Sequence, residues 1–324
     1  MIRLGILGPG RIVERVMKDM HNAKQIEVTA IASRSLEKAA AAANRYHIAH
    51  AYGSYEEMAA SKEVDLVYIA TPHPFHLSQA MLMMRHGKHV ICEKPLAVNE
   101  KETSLMIACA KESNVFLMEA MWTRFFPATG KLRQLLSEDA IGSVRHVYGS
   151  FSYVGKLDAH DRAYAPELAG GALLDLGVYP LAEICMILGW EPDRLTGLAC
   201  KAETGVDMRM SVQMGFPSGA TAQFFCGMDA ASPDSLTFYG TKGYLIVPNF
   251  WHPDQILVYA KGSSPELFQF DHENEGHHYE FDHAAQCIQQ GLCESPEITW
   301  QESLAISRIC TKLRQETGIL YPMD

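Results

Sequence analysis

Near the start of the chain stands Ile2-Arg3-Leu4-Gly5-Ile6-Leu7-Gly8-Pro9-Gly10-Arg11-Ile12-Val13. Ile2–Leu7 is an apolar run of strand length, a glycine turn follows at once, and a helix is expected over Arg11–Met20. That order cradles a pyrophosphate. The first glycine permits the tight turn, the second lets backbone approach the phosphates, and the helix N-terminus offers amide donors. Gly8, Gly10, Arg11 and Ile12 are therefore candidate cofactor-binding positions. The third fingerprint position, normally Gly or Ala, is Val13, so the pattern is incomplete.

Working outward, strands and helices alternate through the first third. Strands are expected at Val28–Ala32, Val64–Ala70, His89–Cys92 and Val115–Met118, and helices at Leu36–Tyr46, Phe75–Arg85 and Lys101–Glu112. Continuous apolar runs mean strands buried on both faces, as in a parallel sheet between helices. Past about residue 120 the pattern changes. Helices are expected at Pro127–Leu136 and Ala172–Leu188. Period-two segments follow at Met208–Phe216, Ala220–Cys226, Ser235–Phe238, Tyr244–Val247 and Ile256–Tyr259, and helices at Tyr279–Gln290 and Gln301–Gln315 come last. The fold class is thus α/β: a Rossmann doubly wound parallel sheet in residues 1–120, then an α+β domain in 121–324 on an open, mainly antiparallel sheet.

The 324 residues carry 28 Lys+Arg and 38 Asp+Glu, a net charge of −10, with 48% hydrophobic residues. Such a composition buries a sizeable core, and cores rarely grow past ~250–300 residues, so two domains are expected. The acidic balance disfavours nucleic acid and anionic membranes as partners. No targeting segment is expected at the start, and Asp175, Pro180 and Glu183 argue that the apolar stretch around Ala172–Trp190 is a buried helix rather than a membrane span. Eight scattered cysteines without a Cys-x-x-Cys pair read as core residues of a cytoplasmic protein.

Further candidates sit at strand ends. Ser33 and Arg34 stand about 20 residues past the glycines, where an NAD-binding fold usually carries Asp or Glu for the ribose hydroxyls. A hydroxyl and a guanidinium suit a 2′-phosphate, so NADP is favoured, with NAD as the alternative. Thr71-Pro72-His73-Pro74-Phe75-His76 and Glu93-Lys94-Pro95 each follow a strand, at the crevice where such sheets bind ligands. Thr71, Pro72, His76, Glu93 and Lys94 are candidates for the cofactor site. Lys94, partly desolvated there, is also a candidate proton donor or anchor for a substrate hydroxyl. Asp175 and Tyr179 share one helix face at i, i+4 and need polar partners in an apolar helix.

Gly8-Pro9-Gly10, Thr71-Pro72 and Glu93-Lys94-Pro95 together resemble the glucose–fructose oxidoreductase / inositol dehydrogenase (Gfo/Idh/MocA) family. Glu119-Ala120-Met121-Trp122-Thr123-Arg124-Phe125-Phe126-Pro127 and Gly170-Gly171-Ala172-Leu173-Leu174-Asp175-Leu176-Gly177-Val178-Tyr179-Pro180 look like its subgroup of dimeric dihydrodiol dehydrogenases and NADP-dependent sugar oxidoreductases. The resemblance implies hydride transfer between a nicotinamide and a sugar, cyclic polyol or dihydrodiol. Tyr179 would be the general acid and Lys94 would stabilise the alkoxide beside it. Asp175 would orient substrate or lysine, and Pro95 would follow a cis peptide bond. It also implies a homodimer or homotetramer formed through the C-terminal sheet. Trp122, Arg124, Phe125 and Trp251 are candidate walls for the substrate, since aromatic faces suit a sugar or dihydrodiol ring.

Two other classes compete. A non-catalytic nucleotide sensor on the same fold would have no need of both Lys94 and Tyr179. A metal-dependent hydrolase would use Asp271–His283, where His278 and Asp282 fall at i, i+4, but this stretch reads as a solvated loop and helix start, and no metal is expected.

Overall fold

The computed structural model describes residues 1–155, 161–272 and 275–324. They divide into two compact units, Met1–Trp122 with Glu273–Leu304, and Thr123–His272 with Ala305–Asp324.

The first unit is built on β1 (Ile2–Leu7), β2 (Ile26–Ala32), β3 (His50–Tyr52), β4 (Leu66–Ile69), β5 (His89–Glu93) and β6 (Leu117–Ala120). Among the described residues they form a six-stranded sheet in the order β3-β2-β1-β4-β5-β6, and every pairing is parallel. The helices between them are α1 (Arg11–Asp19), α2 (Leu36–Tyr46), α3 (Tyr55–Ala60), α4 (His76–Arg85) and α5 (Glu100–Ser113). This is the doubly wound order, in which strands are added outward to one side of β1 and then, from β4, to the other. Leu4, Ile6, Val67, Ile69, Val90 and Ile91 are fully buried, as continuous apolar strands require. β3 and α3 were not expected from the sequence. β3 has three half-exposed or exposed residues at the sheet edge, and α3 is only six residues long, so neither carries a full period.

The second unit holds α6 (Pro127–Ser137), β7 (Val144–Ser152), α7 (Val178–Leu188), β8 (Arg194–Lys201), β9 (Asp207–Gly215), β10 (Thr221–Gly227), β11 (Leu236–Gly240), β12 (Gly243–Val247), β13 (Gln255–Ala260) and β14 (Glu266–Gln269). Its eight described strands run β14-β13-β12-β11-β7-β10-β9-β8. β7 pairs in parallel with β10, and the other pairings are antiparallel. β7, β8 and β14 are additions to the sequence reading: the first is interrupted by Arg145 and His146, and the other two are edge strands whose side chains are largely exposed.

Met210, Val212, Met214, Ala222, Phe224 and Cys226 alternate along β9 and β10, and all are buried within their own unit. They form the inward face of the sheet, and the outward face carries Tyr148, Tyr239 and Tyr244, each about two-fifths exposed. The helix expected over Ala172–Leu188 opens as a π-turn, Leu173–Gly177, in which the Val178 N–H reaches back to the Leu173 carbonyl before α7 begins. Pro166–Leu188 has the length and composition of a membrane span, yet 72% of its most apolar window is buried inside the protein.

Two helices close the chain, α8 (His278–Gln289) and α9 (Trp300–Thr317). α8 packs in the first unit: Asp282 accepts from the N–H groups of Lys24 and Gln25, both at 2.9 Å. All eight cysteines are free, and six are buried.

Phe224 on β10 is nearly inaccessible. Phe224→Ala is expected to remove about 3–5 kcal/mol of unfolding free energy, transfer and cavity terms together. Denaturant unfolding checks this, and an unchanged midpoint would show that the site collapses to fill the space.

Candidate functional site

In the first unit the candidate residues gather at the carboxyl ends of β1, β2, β4 and β5. Gly8 adopts φ +88°, and a Cβ there would lie 2.9 Å from Thr71 Cγ2. Only glycine fits, so the turn after β1 is held against the turn after β4. Gly10 caps α1 with extended backbone and no side-chain hydrogen bond. Gly10 places no side chain over the first turn of α1, and both glycines are solvent-accessible. Such a cradle fits a dinucleotide pyrophosphate. Val13, the irregular fingerprint position, is buried and packs the helix down. At the end of β2, Ser33 is buried, Arg34 is exposed, and Ser35 caps α2 by accepting from the Lys38 N–H. No carboxylate follows Ala32 until Glu37, which agrees with a site open to a 2′-phosphate.

His76 is fully buried and ties two of these loops together. Its Nε2 lies 2.8 Å from the Thr71 carbonyl oxygen and its Nδ1 3.1 Å from that of Pro95. Both partners are acceptors, so a neutral ring donates to only one of them at a time. Thr71 in turn bonds Gln79 at 2.6 Å. Across the loop, the Lys94–Pro95 peptide is cis, as the resemblance implied. Glu93 accepts from the Tyr68 hydroxyl and, at 3.3 Å, from the Lys94 N–H. Glu119 accepts from the Leu96 N–H at 2.9 Å. Lys94 thus sits on a loop braced on both sides.

Behind this loop lies a buried polar group that the sequence reading missed. Glu280 on α8 is 1% exposed, and burial together with the charge of Glu93 pushes its carboxyl well above the usual carboxylate range. His277 Nδ1 lies 3.9 Å from it and its ring stacks on Trp122 at 4.2 Å. The His277 N–H donates to Asp19, and Arg15 lies over the same Trp122 ring while pairing with Glu275. The expected solvated helix start is therefore buried, because Asp19 draws its amides inward. Glu273 and Asn274 of this stretch lie outside the described residues. Among the described residues no three His, Cys, Asp or Glu are grouped as metal ligands.

In the second unit Asp175 and Tyr179 fall on the π-turn and the first turn of α7. Arg162 Nη2 pairs with Asp175 Oδ1 at 3.2 Å. The Tyr179 ring meets Phe151 edge-on at 5.5 Å, and Phe151 stacks on Trp251 at 5.5 Å with the planes 11° apart. Burial, with Asp175 and Tyr164 nearby, pushes the Tyr153 hydroxyl up to about 12. A carboxylate with its arginine, a tyrosine and an aromatic wall are thus brought together. Trp251 belongs to that wall, along with Phe151 on β7, a strand the sequence did not reveal.

The other wall candidates sit differently. Trp122 is packed in the first unit as described, and Phe125 is half-buried. Arg124 is 5% exposed, with its guanidinium over Trp190 at 5.6 Å. It also faces Glu183, which burial pushes up to about 7 against the opposing pull of Arg124 and of the Thr123 hydroxyl at 3.3 Å.

A glycine cradle at the head of a doubly wound sheet, with a lysine loop beside it, defines a dinucleotide-binding protein of the oxidoreductase type. Residues 2–121 match the family described as "Oxidoreductase family, NAD-binding Rossmann fold", and residues 129–246 match the "GFO/IDH/MocA C-terminal domain". The chain belongs to the GFO/IDH/MocA oxidoreductases. It is 36% identical over 330 residues to a trans-1,2-dihydrobenzene-1,2-diol dehydrogenase of Xenopus laevis, covering 98% of each chain. It is 37% identical over 336 residues to the protein of that name from Bos taurus, covering 100% of this chain and 99% of the other. Among solved structures, the 3-ketoreductase KijD10 from Actinomadura kijaniata, in complex with NADP and TDP-benzene, is 27% identical with a TM-score of 0.87 and 97% of each chain covered.

Glu183 titrates higher folded than unfolded, so the native state holds an extra proton between the two values. Its contribution to stability is complete below the unfolded value of about 4.5 and is lost as pH rises through about 7. Between pH 5 and 8 the Tm of the wild-type protein should fall relative to that of Glu183→Gln. Parallel curves would contradict a buried, protonated Glu183.

Proposed function

We propose that the protein is an NADP-dependent oxidoreductase acting on a carbonyl or hydroxyl carbon of a trans-dihydrodiol, sugar or cyclic polyol. NAD is the weaker alternative. The observation that carries this reading is Arg34 standing exposed just past β2, where a carboxylate would repel a 2′-phosphate, above a glycine cradle suited to a pyrophosphate. The dihydrodiol dehydrogenase relatives and the NADP-bound ketoreductase support the substrate class and cofactor.

When bound, the nicotinamide supplies or takes the hydride. Within this reading residues 1–120 hold the dinucleotide, through Gly8, Gly10, Arg11, Ile12, Ser33, Arg34, Thr71, Pro72, His76, Glu93 and Lys94. Residues 121–324 take the substrate and associate with a second copy. Tyr179 passes its hydroxyl proton to the substrate oxygen. Lys94 steadies the developing alkoxide. Asp175, paired with Arg162, orients the neighbouring hydroxyl, and Trp251 with Phe151 receives the ring's C–H face. Trp122, Arg124 and Phe125 are further substrate-contacting residues in this reading.

The exposed sheet face is where two copies meet, as a homodimer or a homotetramer. A row of rings crosses it, with His146, Tyr239, Tyr244 and Tyr259 at successive centroid distances of 6.0, 6.1 and 4.6 Å. Such a row is costly to leave in water. The cytoplasm suits eight free cysteines.

The substrate is found by following NADPH oxidation and NADP reduction across aldoses, ketoses, inositols, dihydrodiols and dicarbonyls. With the substrate in hand, Lys94→Ala should keep NADPH binding and lose at least ~100-fold in turnover. Wild-type turnover in that variant would overturn the mechanism. For the cofactor, Arg34→Ala should weaken NADPH far more than NADH, whereas equal losses would show that Arg34 does not read the 2′-phosphate.

A further inference from the structure

The turn that opens the helix of Asp175 and Tyr179 is held by two side chains from distant segments of its own unit. Asp207, the first residue of β9, is fully buried, and its Oδ2 accepts from the Leu173 N–H at 2.6 Å. Gly171 adopts φ +122°, and a Cβ there would lie 2.2 Å from Asp207 Oδ1 and 3.1 Å from the Tyr321 hydroxyl. Carboxyl and phenol therefore rest directly on this glycine. The Tyr321 hydroxyl donates to the Gly170 carbonyl. Tyr321 is itself fixed from behind. Arg314, 1% exposed, lies over its ring at 4.5 Å and grips Asp324 by bonds of 2.6 and 3.0 Å, and Asp324 also accepts from the Tyr321 N–H.

Burial of these polar groups costs desolvation that apolar packing would avoid. Asp207 shows the strain of it, its carboxyl pushed up to about 7 by burial. Their bonds converge on residues 170–173, immediately before the π-turn, and Asp175 follows Leu173 by two residues. π-turns within α-helices are frequent at functional sites, where they re-aim the side chains that follow.

We propose that Asp207 and Tyr321 are positioning residues, which set the direction in which the π-turn presents Asp175 and the following helical turn presents Tyr179. The proposal rests on the reading of Tyr179 as the proton donor. Misplacing a reacting group by about 1 Å can cost ~100-fold in rate, so the clamp matters for kcat rather than for cofactor affinity.

The test compares Asp207→Ala, Asp207→Asn, Tyr321→Phe and Tyr179→Phe with the wild-type protein. Three quantities are read: kcat, NADPH Kd, and amide hydrogen exchange over residues 171–179. In Asp207→Ala kcat should fall ~10–100-fold at unchanged NADPH Kd, and exchange over this segment should quicken. Asp207→Asn still offers Leu173 an oxygen and should recover most of both. Tyr321→Phe keeps the ring under Arg314 and removes only the bond to Gly170, so it should move kcat and exchange the same way by a smaller amount. It also serves should Asp207→Ala not fold. Unchanged kcat and exchange in Asp207→Ala, or in Tyr321→Phe where that is the folded variant, overturn the clamp. Equal kcat losses in the Ala and Asn variants with unchanged exchange overturn it as well. Wild-type turnover in Tyr179→Phe would overturn the proton-donor reading instead, and the exchange data would then decide the clamp alone.

Discussion

Carboxylates taken out of water need donors, and in this protein they find them in backbone amides far away along the chain. Asp19 accepts from the N–H groups of Glu275 and His277, Glu119 from Leu96, and Asp207 from Leu173. Each bond pins a segment that would otherwise be a free loop. An amide bonded to a charged acceptor contributes about 1.5–3 kcal/mol, and the alternative, a buried carboxylate without a donor, is far more costly. The pairing is therefore close to obligatory once these residues are inside.

The segments pinned in this way include the loops and turns of the candidate site. Glu119 and the Tyr68–Glu93 bond brace the loop of Lys94, and His76 joins that loop to the turn after β4. Asp207 fixes the approach to Asp175 and Tyr179. Asp19 draws in the start of α8, which brings Glu280 and His277 beneath the Rossmann sheet's functional edge. Part of the acidic excess of the chain is thus internal scaffolding. The rest is surface charge, and in the proposed function phosphates are met by local geometry at Gly8, Gly10 and Arg34.

Much of this was legible in the sequence, for physical reasons that can be stated. Strands buried on both faces must be continuously apolar, so Ile2–Leu7 and its neighbours were recognisable, and the glycine turn could be read because backbone conformation limits it to one residue type. β3, β8 and β14 were not, since exposed edge strands need no apolar pattern, and the parallel pairing of β7 with β10 depends on chain far apart. The π-turn was invisible for another reason. Its residues Leu173–Gly177 read as ordinary apolar helix, and what shapes it lies at Asp207 and Tyr321. Arg162 and Phe151 were missed likewise, being meaningful only beside Asp175, Tyr179 and Trp251.

The proposed function turns on direct hydride transfer from NADPH to a substrate carbonyl carbon. NADPH carrying deuterium at C4 of the nicotinamide, incubated with the protein and a carbonyl substrate from the panel, tests this most directly through mass analysis of the product. One deuterium is expected on the new carbinol carbon, retained after exchange into ordinary water. Product formed without deuterium at that carbon, from cofactor labelled on either face, would contradict it.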